Sequence, residues 1–260
     1  MMPFIDLKSQ YEAIREDVQL RIQNVLENGQ YIMGPEVRQI EGELAKFVGV
    51  QSCISCANGT DALQLALLAL DIGHGDAVFT TPYTFFATAE AISLVGARPI
   101  FVDVNSTTFN IEPTKLQDAI DQVKKEGRFE PKAVIAVDLF GLPADYEALE
   151  PICRQNGLKL IEDAAQGLGG EINGRMAGSF GDVATTSFFP AKPLGCYGDG
   201  GALFTSDQVL AEKLQSLRVH GKGVDKYDNV RVGMNSRLDT LQAAVLLAKL
   251  DVFETEIASR

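Results

Sequence analysis

The chain has 260 residues, of which 46% are hydrophobic and 22% charged. That is the profile of an ordinary globular protein, long enough to bury well over half of its unfolded surface without disulfides or metal. Its formal net charge is −12, with 35 Asp and Glu against 23 Lys and Arg. This field repels phosphate backbones and argues against general nucleic-acid binding, though a few placed donors still suffice to hold a small anion. Mean hydropathy is +0.03, and no apolar run approaches the roughly 20 residues of a membrane helix. The start lacks a basic segment followed by an apolar one, so no signal peptide is expected.

The first 48 residues read as amphipathic helix, broken at Gly29 and at Gly34-Pro35. Strands are then expected at Ser52–Ser55, Ala77–Thr80, Arg98–Val102, Ala133–Val137, Leu158–Ile161, Ala184–Phe188 and Ala202–Thr205. Helical patterns fall at Thr60–Leu70, Thr84–Val95, Thr114–Lys124, Asp145–Asn156 and Asp207–Val219. Strands spaced by helices of this length predict an α/β protein with a mostly parallel sheet sandwiched by helices. A final long helix is expected from Arg237 to Ser259, with Leu238, Leu241, Val245, Ala248 and Val252 at helical spacing. Cys53 and Cys56 form a CxxC. In a strand, residues three apart point to opposite faces, so the two are read as buried thiols rather than a redox pair or half a metal site. Four cysteines and two histidines make no disulfide scaffold or metal centre, and a reducing cytoplasm fits them.

Ligands of parallel sheets bind beyond the carboxyl ends of the strands, so the residues just after each strand are the ones to inspect. Asn58-Gly59-Thr60-Asp61 follows the first strand and opens a helix. Its free N–H groups suit a phosphate, and plain N-capping explains the same residues equally well. Neither a P-loop nor GxGxxG occurs. Glu162 and Asp163 end a buried strand; Asp163 reads either as a helix cap or as a fixed anion for a protonated ring nitrogen. Lys192 lies in a nearly uncharged run of aromatics, prolines and glycines, Ser187 to Gly201. Desolvation there would lower its pKa and make the amine reactive toward carbonyls; the ordinary alternative is a solvated surface lysine. A phosphate cradle, an Asp for a pyridinium and a desolvated Lys, in this chain order, suit pyridoxal 5'-phosphate.

At these residues the sequence resembles the DegT/DnrJ/EryC1/StrS sugar aminotransferases, of fold-type-I architecture. The resemblance also runs through Gly34-Pro35-Glu36-Val37, Asn58 to Leu63, Thr84 to Thr88, Glu162 to Gln166 and Asn235 to Asp239, and covers nearly the whole chain. The stretches Phe188–Gly201 and Val232–Ala244 look closest to the branch that aminates a UDP-linked 3-keto-N-acetylglucosaminuronate in building O-antigen sugars. The resemblance implies an N-terminal helical segment at 1–48, a cofactor-binding large domain at 49–236, and at 237–260 the start of a long inter-domain helix. Members usually continue into a small carboxyl-terminal domain, which in this chain would be absent or truncated.

The resemblance also implies roles. Lys192 matches the lysine that binds the cofactor covalently and moves the proton between donor and cofactor carbons. Asp163 matches the partner of the pyridine nitrogen, and Gln166 the residue near the phenolic oxygen. Gly59, Thr60 and Ser187 match phosphate ligands, and Phe85 the aromatic that stacks on the ring, with a plain core position as its alternative. Asn235 matches a residue that the neighbouring subunit gives to the phosphate. Arg237 is a candidate for the sugar carboxylate or diphosphate, its alternative being an ion pair with Asp239. The implied partners are a nucleotide-linked keto sugar and an amino-acid donor, glutamate, in ping-pong exchange, with a homodimer sharing its active sites. A long apolar face from Leu238 to Val252 that needs covering is a second reason to expect the dimer. The rivals are a cofactor-binding fragment without full activity, an aminotransferase of another nucleotide-linked keto sugar, a nicotinamide oxidoreductase and a sugar dehydratase. The missing GxGxxG opposes the oxidoreductase, and the dehydratase relatives carry histidine where this chain has Lys192. One departure stands out: Asp138 occupies a position where many members carry histidine.

Overall fold

The computed structural model describes residues 5–225 and 227–259. Residues 1–4 of the expected N-terminal segment and residue 260 of the expected final helix lie outside it.

Two helices come first, α1 (Leu7–Asn28) and α2 (Pro35–Val48). They end where the sequence places breakers. Gly29 takes φ 66°, a conformation costly for a residue with a side chain, and Pro35 opens α2 where its missing N–H costs nothing. The sheet is then laid down by β1 (Ser52–Cys56), β2 (Asp76–Thr80), β3 (Arg98–Phe101), β4 (Glu130–Val137), β5 (Lys159–Asp163), β8 (Val183–Ser187) and β9 (Gly201–Thr205). The interleaved helices are α3 (Gly59–Ala69), α4 (Phe86–Leu94), α5 (Pro113–Glu126), α6 (Tyr146–Asn156) and α7 (Gln208–Leu217), and α8 (Thr240–Ser259) follows. In space the strands run β1-β9-β8-β5-β4-β2-β3, with β9 alone antiparallel to its neighbours. Six carboxyl ends therefore meet at one edge, together with the amino end of β9.

Alternation along the strands divides the core. One sheet face, with Ile54, Cys56, Val78, Ile135, Ile161 and Leu203, packs under α3, α4 and α7. The other face splits, with Cys53, Ala184 and Phe204 under α2 and α8 and with Phe79, Val134 and Leu160 under α5 and α6. Cys53 and Cys56 thus belong to cores on opposite faces. All four cysteines are free and buried, and burial pushes the Cys56 thiol up to about 12. No group of His, Cys, Asp and Glu among the described residues forms a candidate metal site.

Three expectations need correction. The final helix begins at Thr240, not Arg237, because Asp239 is held in a bridge to Ile32 and the Thr240 N–H bonds the Tyr31 carbonyl. Most of its apolar face is already covered: Val245 and Ala248 pack on α1 beside Val18, Leu238 joins α2 in the second core, and Leu241 and Val252 are half-buried. It therefore gives no reason for a partner. A short hairpin, β6 (Glu171–Ile172) with β7 (Arg175–Met176), went unexpected although Asn173-Gly174 at its turn is a strong hairpin signal. Both turn residues have positive φ, 52° and 76°.

Candidate active site

A cavity of about 540 Å³ opens at the carboxyl edge of the sheet. It is lined by the start of α3 (Asn58, Gly59, Thr60), by Thr84, Phe85 and Thr88 around the start of α4, by Asp163 and Gln166 after β5, and by Ser187 and Lys192 after β8. Eight predicted residues, distant in sequence, are thereby judged together: Gly59, Thr60, Phe85, Asp163, Gln166, Ser187 and Lys192 face one space, whereas Asn235 does not.

The α3 terminus is built for close approach. The Asn58 side chain accepts the Asp61 N–H at 2.8 Å and its carbonyl accepts that of Ala62. The amides of Gly59 and Thr60, which have no acceptor within the helix, are left for a ligand. A Cβ on Gly59 would fall 2.7 Å from that of Ser187, and one on Gly201 would fall 2.5 Å from the Asn58 carbonyl oxygen. Only glycine lets β1, β8 and β9 converge here. N-capping and an anion cradle, alternatives on sequence alone, coexist: Asn58 caps and Gly59-Thr60 remain open.

Asp163 is buried at the tip of β5. Its Oδ2 accepts the Thr88 hydroxyl at 2.8 Å and its Oδ1 the Ala165 N–H at 3.3 Å. Burial pushes its carboxyl above the usual range, while these two bonds and the charge of Lys192 pull it back. It is not a helix cap. Lys192 sits in a tight turn, its N–H on the Phe189 carbonyl; the turn is closed by Gly195, where a Cβ would meet the Pro190 carbonyl at 2.5 Å. Burial pushes the ammonium below its ordinary value, and Asp163 partly restores it. Phe85 is 69% exposed and lies on the cavity wall, outside the core. Gln166 accepts the Phe140 N–H through Oε1 at 3.0 Å, which leaves its Nε2 group free to donate into the cavity.

Asn235 and Arg237 line a separate polar depression of about 440 Å³ with Asp239 and Gln242. It shares Asn58 and Asp199 with the main cavity. Among the described residues no ion pair joins Arg237 to Asp239. Sequence reasoning passed over two residues as actors. Thr88 falls inside a motif without a role of its own, yet its hydroxyl fixes Asp163 and contacts Thr84 at 2.9 Å; the Thr84–Thr88 spacing of four is its signal. Asp199 had none, since only folding brings it between the two depressions.

The protein-family model of DegT/DnrJ/EryC1/StrS aminotransferases matches residues 12–260. The chain belongs to this family. It is 50% identical, over all 260 residues, to the UDP-2-acetamido-2-deoxy-3-oxo-D-glucuronate aminotransferase of Pseudomonas aeruginosa, and spans 70% of that relative. It is 42% identical to a UDP-N-acetyl-3-dehydro-alpha-D-glucosamine 3-aminotransferase of Acidithiobacillus ferrooxidans, with 95% of this chain and 65% of the relative aligned. The crystal structure of a family member from Brucella abortus superposes with a TM-score of 0.97 at 54% identity, covering 98% of this chain and 68% of that one.

The chain is thus an aminotransferase, and pyridoxal phosphate is its cofactor. The residues present fit that group: free amides at a helix start for its phosphate, a buried carboxylate for its ring nitrogen and a desolvated amine for its aldehyde.

Proposed function

We propose that the enzyme transfers an amino group from glutamate to a UDP-linked 3-keto-N-acetylglucosaminuronate, in the cytoplasm, for the building of O-antigen sugars. The chemistry rests on one observation: Lys192 and Asp163 face a single cavity with the open start of α3. The substrate class rests on the 50% identity with the Pseudomonas aeruginosa enzyme.

Bound pyridoxal phosphate supplies an electron-withdrawing ring that acidifies the Cα proton of the amino donor. The Gly59 and Thr60 amides and the Ser187 hydroxyl hold the phosphate. Asp163, whose charged form Thr88, Ala165 and Lys192 favour against burial, holds the proton on the ring nitrogen. Phe85 covers the ring, and Gln166 donates from Nε2 to the phenolic oxygen. Lys192, lowered by burial, would take the Cα proton on Nζ and hold it for return within the cavity. The same Nζ serves the return half-reaction with the sugar ketone. Incubation with the UDP-linked keto sugar and glutamate is expected to yield the 3-amino sugar and 2-oxoglutarate. Conversion of a dTDP-linked keto sugar in its place would overturn the substrate assignment but leave the chemistry standing.

The proposal includes a homodimer with shared sites. Asn235 is exposed and, like Arg237, stands outside its own chain's cofactor cavity, which supports their reaching a partner's phosphate and substrate. Mixing Lys192→Ala with Asn235→Ala chains should regenerate one intact site in part of the mixed dimers and raise activity above either variant alone. No rise, with subunit exchange shown separately, would place each site within one chain.

A further inference from the structure

Behind Asp163, away from the catalytic lysine, two more carboxyls are wholly buried. Asp138 follows β4 and Glu162 precedes Asp163 on β5, each 0% exposed. The register of β4 on β5 pairs Ala136 with Glu162, so Asp138, two residues on, turns its side chain to the same face as Glu162, and the two carboxyls act on each other. The donors around them are nearly all spent. Asp138 Oδ1 accepts the Ala144 N–H at 3.0 Å and the Tyr146 hydroxyl at 2.7 Å. Glu162 accepts the Gly178 N–H at 2.6 Å and the Phe180 N–H at 2.8 Å, one on each oxygen. Asp138 Oδ2 alone has no donor. Gly167 packs so closely that a Cβ there would stand 2.7 Å from it, so no side chain reaches it from that direction. Two ionised carboxylates at zero exposure would repel across Asp138 Oδ2, which has neither a donor nor a cation to offset its charge.

We infer that Asp138 and Glu162 share one proton, and that this pair is a positioning device for Asp163 and for the cavity wall. The shared proton joins three segments. Through Ala144 and Tyr146 it fixes the turn that carries Phe140, whose N–H holds Gln166. Through Gly178 and Phe180 it fixes the chain between β7 and β8. The Asp138 N–H donates to the Asp163 carbonyl at 3.1 Å, tying the tip of β4 to that of β5. The groups facing the pair are Tyr146 from α6 and Asp163 from β5. Arg175, on the neighbouring hairpin, stacks 4.3 Å from the Phe180 ring centre and bonds Glu150 and the Ser179 carbonyl instead. Among the described residues no cation forms an ion pair with either carboxyl. Consistently, burial pushes Asp138 up to about 6 and, with the facing charge of Asp138, pushes Glu162 well above its usual range.

The sign of the pH effect follows. Both folded values lie above the unfolded ones, so between about pH 4.5 and the folded value the native state holds a proton that the unfolded state has lost. Stability from the pair is complete below that window and declines as pH rises through it, by about tenfold in the folding equilibrium per pH unit. Asp138→Asn replaces the shared proton by an amide: its Oδ1 keeps Ala144 and Tyr146 and its Nδ2 donates to Glu162. The melting temperature of Asp138→Asn should therefore rise relative to the wild type by roughly 3–5 °C per pH unit between pH 5 and about 6. It should also retain pyridoxal phosphate on dialysis where Asp138→Ala loses it. Glu162→Gln, which must turn an amide N–H₂ toward the Gly178 or Phe180 N–H, should melt lower at every pH. In the wild type, a protonated-carboxyl infrared band that shifts in D₂O is expected at pH 6 and should vanish in Asp138→Asn. Parallel melting curves for the wild type and Asp138→Asn, or no such band in the wild type, would overturn the inference. The band decides the question even if a variant fails to fold, and neither readout depends on the sugar substrate.

Discussion

Lys192→Ala is expected to abolish transamination, with turnover falling by about 10³-fold or more, because the proton that must leave Cα loses its acceptor. The amine has the two properties this step requires. It lines the same cavity as the open start of α3, on a turn closed by Gly195. Burial has also lowered its pKa, so a larger share is unprotonated near neutrality. Lys192→Arg separates this from a mere need for charge: a guanidinium stays protonated in proteins and should be as inactive as alanine. The position is checked by borohydride reduction of the loaded enzyme followed by peptide mass spectrometry. The cofactor's mass is expected on the peptide containing Lys192; its appearance on another lysine would reassign the site.

The second large effect is expected at Asp163. Asp163→Asn should lose about 10²–10³-fold in turnover while the chain still folds, a range typical of removing one preorganised electrostatic group. Folding survives because the local bonds can be remade. The Thr88 hydroxyl, in contact with both Asp163 and Thr84, can rotate to accept from an amide and donate to Thr84. An uncharged side chain is also less costly to bury than a carboxylate. What the amide cannot do is hold a proton on the ring nitrogen by charge. It also withdraws the attraction that props up the Lys192 ammonium, so the lysine's pKa should fall further in this variant. Turnover within a few-fold of the parent, measured alongside an unchanged circular dichroism spectrum, would refute the role.

The sequence by itself determined the alternation of strands and helices, because hydrophobic periodicity and breakers are local signals. All seven strands of the main sheet formed where β-rich runs stand between glycine and proline turns. Cys53 and Cys56 diverged as a period of two requires. The ends of β1, β5 and β8 drew notice for the same reason: an Asn-Gly, a pair of acids and a lysine among aromatics are each odd in their own neighbourhood. The roles attached to those residues came from the resemblance to a family, and their geometry came from folding. Tertiary structure alone decided that Thr88 reaches Asp163 from a different helix, and that Asp199 stands between two depressions. It also decided that α8 buries most of its apolar face on α1 and α2, against the expectation of an uncovered surface. Asp138 shows the division most clearly. In sequence it is only an unusual residue before a turn, 24 positions from Glu162. The parallel pairing of β4 with β5 brings those two carboxyls to one buried face, where they compete for one proton. Such a contact has no local signature, because it depends on which strands become neighbours and on what covers their tips.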